Sequence, residues 1–144
     1  MQRGLGMKRA VVGALAFGLF LVGAGSAVAD SWSDIKLTTT TGAVFEVAEY
    51  RFNPPERNHG SFEWRGNLRD DDFGDGHNVY LQVRVESHGW VRYNGKQRQS
   101  VRLHHSNWDG AQRYTDNAEI RVCRNRGSLH PDNCSPTRKF SVTR

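Results

Sequence analysis

The chain has 144 residues, with 20 lysines and arginines against 15 aspartates and glutamates, six histidines and two cysteines. Once an export signal is set aside, that length holds one core and excludes a second domain. The positive balance sits largely at the start of the chain, which argues against the clustered cations of a nucleic-acid footprint.

Residues 1–29 read as a secretory signal. Arg3, Lys8 and Arg9 precede the apolar run "AVVGALAFGLFLVGAG", and Ala27 and Ala29 hold the small-residue positions of a cleavage site, so cleavage is predicted after Ala29. The apolar run is shorter than the ~20 residues of a spanning helix and is interrupted by glycine. With no cysteine there for lipid attachment, the predicted product is extracellular, exported by a Sec-type route and without a membrane anchor. A start at Met7 leaves the same signal intact. Export removes three cations and no acid, leaving 17 basic against 15 acidic residues over positions 30–144. Only Lys36, Lys96 and Lys139 among those 17 are lysine, the arginine excess of a GC-rich bacterial genome.

Residues 30–34 are polar and read as a flexible lead. Beyond them the pattern has period two. In "NVYLQVRVES" Val79, Leu81, Val83 and Val85 alternate with Tyr80, Gln82, Arg84 and Glu86, the signature of a strand with one face in a core. "NAEIRVCRN" repeats it through Ala118, Ile120 and Val122, and "SVRLHH" and "KFSVT" give shorter cases. "IKLTTT" and "AVFEVAEYRF" are rich in β-branched and aromatic residues and also read as strands. Asn94-Gly95 predicts a two-residue type I′ hairpin, whose central positions both need positive φ. "NPPER" and "SNWDG" read as loops. No long helical stripe occurs over residues 30–144. The expectation is an all-β single domain over that span, a small antiparallel β-sandwich of about seven or eight strands with one disulfide; a closed barrel is the competitor.

The two cysteines, Cys123 and Cys134, bracket "RNRGSLHPDN". In an oxidising compartment they are expected to form a disulfide staple. A redox pair wants C-x-x-C spacing, and a zinc site recruiting His130 lacks a fourth ligand at a recognised spacing.

Candidate sites are fewer. Asp70, Asp72 and Asp75 lie in the glycine-punctuated loop 70–78, where carboxylates can offer oxygens to calcium, but an EF-hand alignment from Asp71 places Phe73 at its third position and fails. A loop whose aspartates bond their own backbone is the plainer reading. The adjacent His104 and His105 project to opposite faces of a strand and cannot chelate together. No catalytic signature occurs, and no motif implies a cofactor. Trp64, Trp90 and Trp108 are candidates for a sugar-stacking platform, with Trp108, in the "SNWDG" loop, the one expected to be exposed. Arg84, Arg92, Arg102 and Arg121 fall on outward strand positions, either as a solvated charged face or as part of a protein interface.

"DDDFGDGHNVYLQVRVE" followed by "AEIRVCRNRGSLHPDNCS" resembles a group of small secreted actinobacterial, Streptomyces-like proteins of unknown function, in which Gly-Asp-Gly-x-Asn-Val-Tyr leads into a strand and a cysteine-closed loop lies near the C-terminus. The resemblance implies a bacterial exported protein with a stapled loop. By looser analogy, such proteins look like the adaptor subunits of umbrella-shaped antibacterial toxin particles. The expected function is therefore a non-enzymatic interaction or adaptor module for a secreted or cell-surface protein. It would act through a sheet edge or the loops 70–78 and 127–132, with Trp64, Trp90, Trp108, Arg84 and Arg121 as binding candidates. The alternatives are a cell-wall polysaccharide-binding module and a small secreted hydrolase.

Overall fold

Period-two alternation becomes two stacked antiparallel sheets in the computed structural model, which describes residues 31–110 and 113–144. The expected export signal, residues 1–29, and the cleavage expected after Ala29 lie outside the described residues. The first sheet contains β1 (Ser33–Ile35), β2 (Thr38–Thr40), β3 (Ala43–Phe52), β4 (Phe62–Asp70) and β7 (Ser100–Asn107) in the order β1-β3-β4-β7, with β2 also on β3. The second contains β5 (Val79–Val85), β6 (Val91–Asn94), β8 (Asn117–Arg124), β9 (Asn133–Cys134) and β10 (Arg138–Ser141) in the order β10-β8-β5-β6, with β9 on β8. Phe45, Trp64 and Leu68 from the first sheet and Leu81, Val83, Ile120 and Val122 from the second are all fully buried in one core between them. The architecture is a sandwich. Among the described residues no helix is long and apolar enough to cross a membrane.

Among the described residues there are ten strands where about seven or eight are expected, and the differences have local causes. The run 35–40 splits into β1 and β2, which pair with β3 on either side of a bulge between Glu46 and Glu49. An inserted residue bends a strand and interrupts its ladder; β4 follows β3 across the bulge with a register shift, while the other edge of β3 is shared between the two short strands. β4, the centre of the first sheet, is unheralded because Gly66 and four charged residues interrupt its apolar pattern. Its alternation is nevertheless complete: Phe62, Trp64, Gly66 and Leu68 face inward. A Cβ at Gly66 would stand 2.6 Å from both the Ala48 methyl and the Phe45 ring, so the core itself requires glycine there.

Two turn expectations are overturned. Asn94-Gly95 is not a hairpin, because β6 and β7 belong to different sheets. Gly95 is not at positive φ; its N–H donates to the Val79 carbonyl (2.8 Å), and a Cβ would meet the Val79 side chain at 2.7 Å. Glycine serves close approach at a crossing between sheets. Two consecutive positive φ values occur instead at Asn58–His59 and at Glu86–Ser87 (48° and 60°), the latter closed by the His88 N–H on the Val85 carbonyl at 2.9 Å. The polar lead is also no free lead: β1 pairs with β3, and Trp32 lies under the guanidinium groups of Arg51 and Arg65.

Cys123 and Cys134 form the expected disulfide. They sit opposite each other on β8 and β9 with Cα atoms 4.1 Å apart.

Candidate functional site

The outward residues of β5 define rows across the second sheet. Tyr80 is in register with Asn94 of β6 and Cys123 of β8, Gln82 with Arg92 and Arg121, and Arg84 with Glu119, which in turn pairs with Lys139 of β10. A direct cross-strand neighbour points to the same face. The strand alternation therefore gathers Arg84, Arg92, Arg121, Glu119 and Lys139 on one surface, with Trp90 at its margin just before β6.

The rings on this face are covered by cations. Arg84 and Arg121 each stand 4.4 Å from the Trp90 ring centroid, and Arg92 stands 3.7 Å from that of Tyr80. Such contacts contribute roughly 0.5–1 kcal/mol at exposed sites and hold the guanidinium plane in place. Arg121 Nε donates to Gln82 Oε1 (2.7 Å) and Arg92 Nε to Asn94 Oδ1 (2.8 Å). Arg84 instead pairs with Glu119, whose carboxyl is held below its ordinary value by that hydrogen bond. Tyr80 donates to Asp132 Oδ2 at 2.5 Å; burial first, and then this bond, push the phenol up to about 12. Asp132 is drawn below its ordinary value by the same hydrogen bond, and it also accepts the Arg126 backbone N–H.

At one end the face falls into an open groove of about 320 Å³ lined by Arg84, Glu86, Ser87, Glu119, Lys139 and Phe140. Glu86 and Ser87 are the positive-φ pair of the β5–β6 turn. A left-handed backbone costs an L-residue roughly 1–2 kcal/mol. Glu86 offsets part of this by accepting the backbone N–H groups of Asp116 (2.5 Å) and Asn117 (3.0 Å).

Of the five binding candidates, Trp90, Arg84 and Arg121 come together here. Trp64 does not: it is fully buried, and its Nε1 donates to Asn107 Oδ1 at 2.8 Å, so it is a core residue and no part of a surface platform. Trp108 is 44% exposed but follows β7 of the other sheet, stacked on His59 with centroids 4.4 Å apart. Arg102 also lies on the first sheet, donating to the Val47 carbonyl at 3.1 Å. Asn94, Gln82 and Lys139, which complete the face, escaped the sequence reading because only the strand register makes them neighbours of Arg92, Arg121 and Glu119.

The aspartates of the loop 70–78 turn to their own surroundings. Asp70 accepts the N–H groups of Asp72 (3.0 Å) and Arg98 (2.8 Å), Asp72 that of Gly74 (3.3 Å), and Asp75 that of His77 (2.8 Å) together with Arg124 Nη1 (3.2 Å). Among the described residues no three acidic, histidine or cysteine groups converge as a metal-ligand set. The loop 127–132 borders the arginine face through Asp132 and holds Leu129 almost fully exposed.

Comparison with protein-family models, with curated proteins and with solved structures yields no match, so the site stands on its own geometry.

Proposed function

We propose that this chain is an exported, non-catalytic interaction module that binds a secreted or cell-surface protein through the outer face of its second sheet. The observation that carries this reading is the cluster of Trp90 with Arg84 and Arg121, beside Tyr80 with Arg92. Tryptophan, tyrosine and arginine are the side chains that dominate binding hot spots, and here they share one strand-built surface. The free edge strand β6, with Val91 exposed, borders this surface and gives an extended partner backbone hydrogen-bonding groups to continue the sheet. A neutral sugar gains its affinity by stacking on an open ring, and the Trp90 and Tyr80 rings already carry guanidinium groups. The resemblance to toxin-particle adaptors supplies one setting for such a module.

Tagged protein comprising residues 30–144 is expected to retain a stoichiometric partner from the culture supernatant of its own organism, read by mass spectrometry, and Trp90→Ala is expected to lose it. Retention by Trp90→Ala, or no partner for either protein, contradicts the proposal.

A further inference from the structure

We infer that the partner presents an acidic, extended peptide segment whose carboxylates are gripped by Arg92 and Arg121; this rests on the protein-binding reading of the same face. Both arginines use Nε on a neutral amide oxygen, Asn94 Oδ1 and Gln82 Oε1, and neither forms an ion pair with a carboxylate. Each is also packed on a ring, so its orientation is set before any ligand arrives. A guanidinium held by Nε keeps its Nη groups for the two-point contact that a carboxylate makes.

Asp132 acts on Arg92 through space but forms no ion pair with it, and the acids of this face are otherwise committed elsewhere. Glu119 is taken by Arg84 and has Lys139 beside it in register, while Asp132 accepts from Tyr80 and from the Arg126 backbone. Glu86 is turned to the backbone of Asp116 and Asn117. On the first sheet, by contrast, Arg51, Arg65 and Arg69 each have a glutamate within 2.7 to 2.9 Å. Of the arginines stacked on a ring in the described residues, Arg51, Arg65, Arg84 and Arg144 have a carboxylate partner and Arg92 and Arg121 do not; Arg98, Arg102, Arg126 and Arg138 also reach only neutral oxygens but stack on no ring.

Spacing favours a peptide. Arg92 and Arg121 flank Gln82 on the neighbouring strands, so their Cα atoms are two strand spacings apart, roughly 10 Å. Same-side residues on an extended chain, two or four apart, stand about 7 or 13 Å from each other and bracket this distance within the reach of the arginine side chains. Lys139, in the groove beyond Arg84 and Glu119, places a further cation near the path of such a segment. An anionic polysaccharide offers carboxylates too, but the rings it would stack on are covered.

The test uses residues 30–144 with fluorescein-labelled decaglutamate, read by anisotropy at low and high salt, with decaglutamine and oligogalacturonate as comparison probes. Decaglutamate is expected to bind, to weaken with salt, and to lose roughly tenfold in affinity for each of Arg92→Gln and Arg121→Gln. Lys36→Gln, which removes the same charge elsewhere, is expected to leave binding unchanged. Absent binding, indifference to both arginines, an equal loss in Lys36→Gln, or tighter binding of oligogalacturonate each overturns the inference. A Trp90-dependent secreted partner found alongside no decaglutamate binding would remove the acidic segment alone. Arginine-dependent decaglutamate binding with no such partner would instead remove the protein-binding reading.

Discussion

On the first sheet Arg51 reaches Glu63, Arg65 reaches Glu49 and Arg69 reaches Glu46, whereas on the second sheet Arg92 and Arg121 reach only amide oxygens. Both faces place two arginines against a tryptophan: Arg51 and Arg65 on Trp32, Arg84 and Arg121 on Trp90. An arginine stacked on an aromatic ring is therefore no mark of a binding site by itself. Neutralisation separates the two ring clusters. Arg51 and Arg65 on Trp32 are each matched by a glutamate, whereas Arg121 on Trp90 and Arg92 on Tyr80 are not; Arg102 of the first sheet also lacks a carboxylate but stacks on no ring.

The difference can be broken most forcefully at the covalent link of the second sheet. Cys123→Ser is expected to cost about 3 kcal/mol in the chain-entropy model, seen as a lower Tm, and a free thiol titrating in the native protein would contradict the staple. Next comes Glu63→Gln on the first sheet. Glu63 is only 7% exposed and accepts from Arg51 (2.7 Å), His104 (2.8 Å) and Asn53 (3.2 Å). Its loss is expected to cost about 2 kcal/mol while leaving decaglutamate affinity untouched; a matching fall in affinity would show that the two faces are not separable.

Acid sharpens the same contrast. Burial acts to raise the Glu63 pKa, but hydrogen bonds from Arg51, His104 and Asn53 outweigh it, and Arg84 likewise holds Glu119 low. A carboxyl lowered on folding stabilises the native state above its unfolded value of about 4.3, and this contribution is lost as pH falls through the lowered folded values. Denaturant midpoints are expected to drop over that acid range, less steeply in Glu63→Gln. An equally steep loss in that variant contradicts the role given to Glu63. The smallest effect is expected from Trp108→Ala: removing a half-exposed ring stacked on His59 should leave partner retention unchanged. A loss of retention there would move the site to the first sheet's end and reopen polysaccharide binding.

Much of the sandwich is legible in residues alone. The alternation through Val79, Leu81, Val83 and Val85 matches β5, and "AVFEVAEYRF" spans all of β3. Information held by neighbours is what stays hidden. The strand through Gly66 goes unread because the need for glycine shows only with Phe45 and Ala48 against it, and Asn94-Gly95 reads as a hairpin until β6 and β7 are seen in different sheets. At the candidate site, Trp90, Arg84 and Arg121 can be picked out as residue types favoured at interfaces, but so can the core residue Trp64. That Arg121 meets Gln82 while Arg51 meets Glu63 depends on register, which no single strand carries.

Among the arginines stacked on rings in the described residues, Arg92 and Arg121 of the second sheet are the two without a carboxylate partner, and an acidic ligand should therefore go to them. Backbone and side-chain NMR shifts of residues 30–144 titrated with decaglutamate test it directly. The largest perturbations are expected at the Trp90 indole and the Nε–H groups of Arg92 and Arg121, with Trp32, Arg51 and Arg65 silent. Perturbations spread equally over both faces, or centred on Trp32, would contradict it.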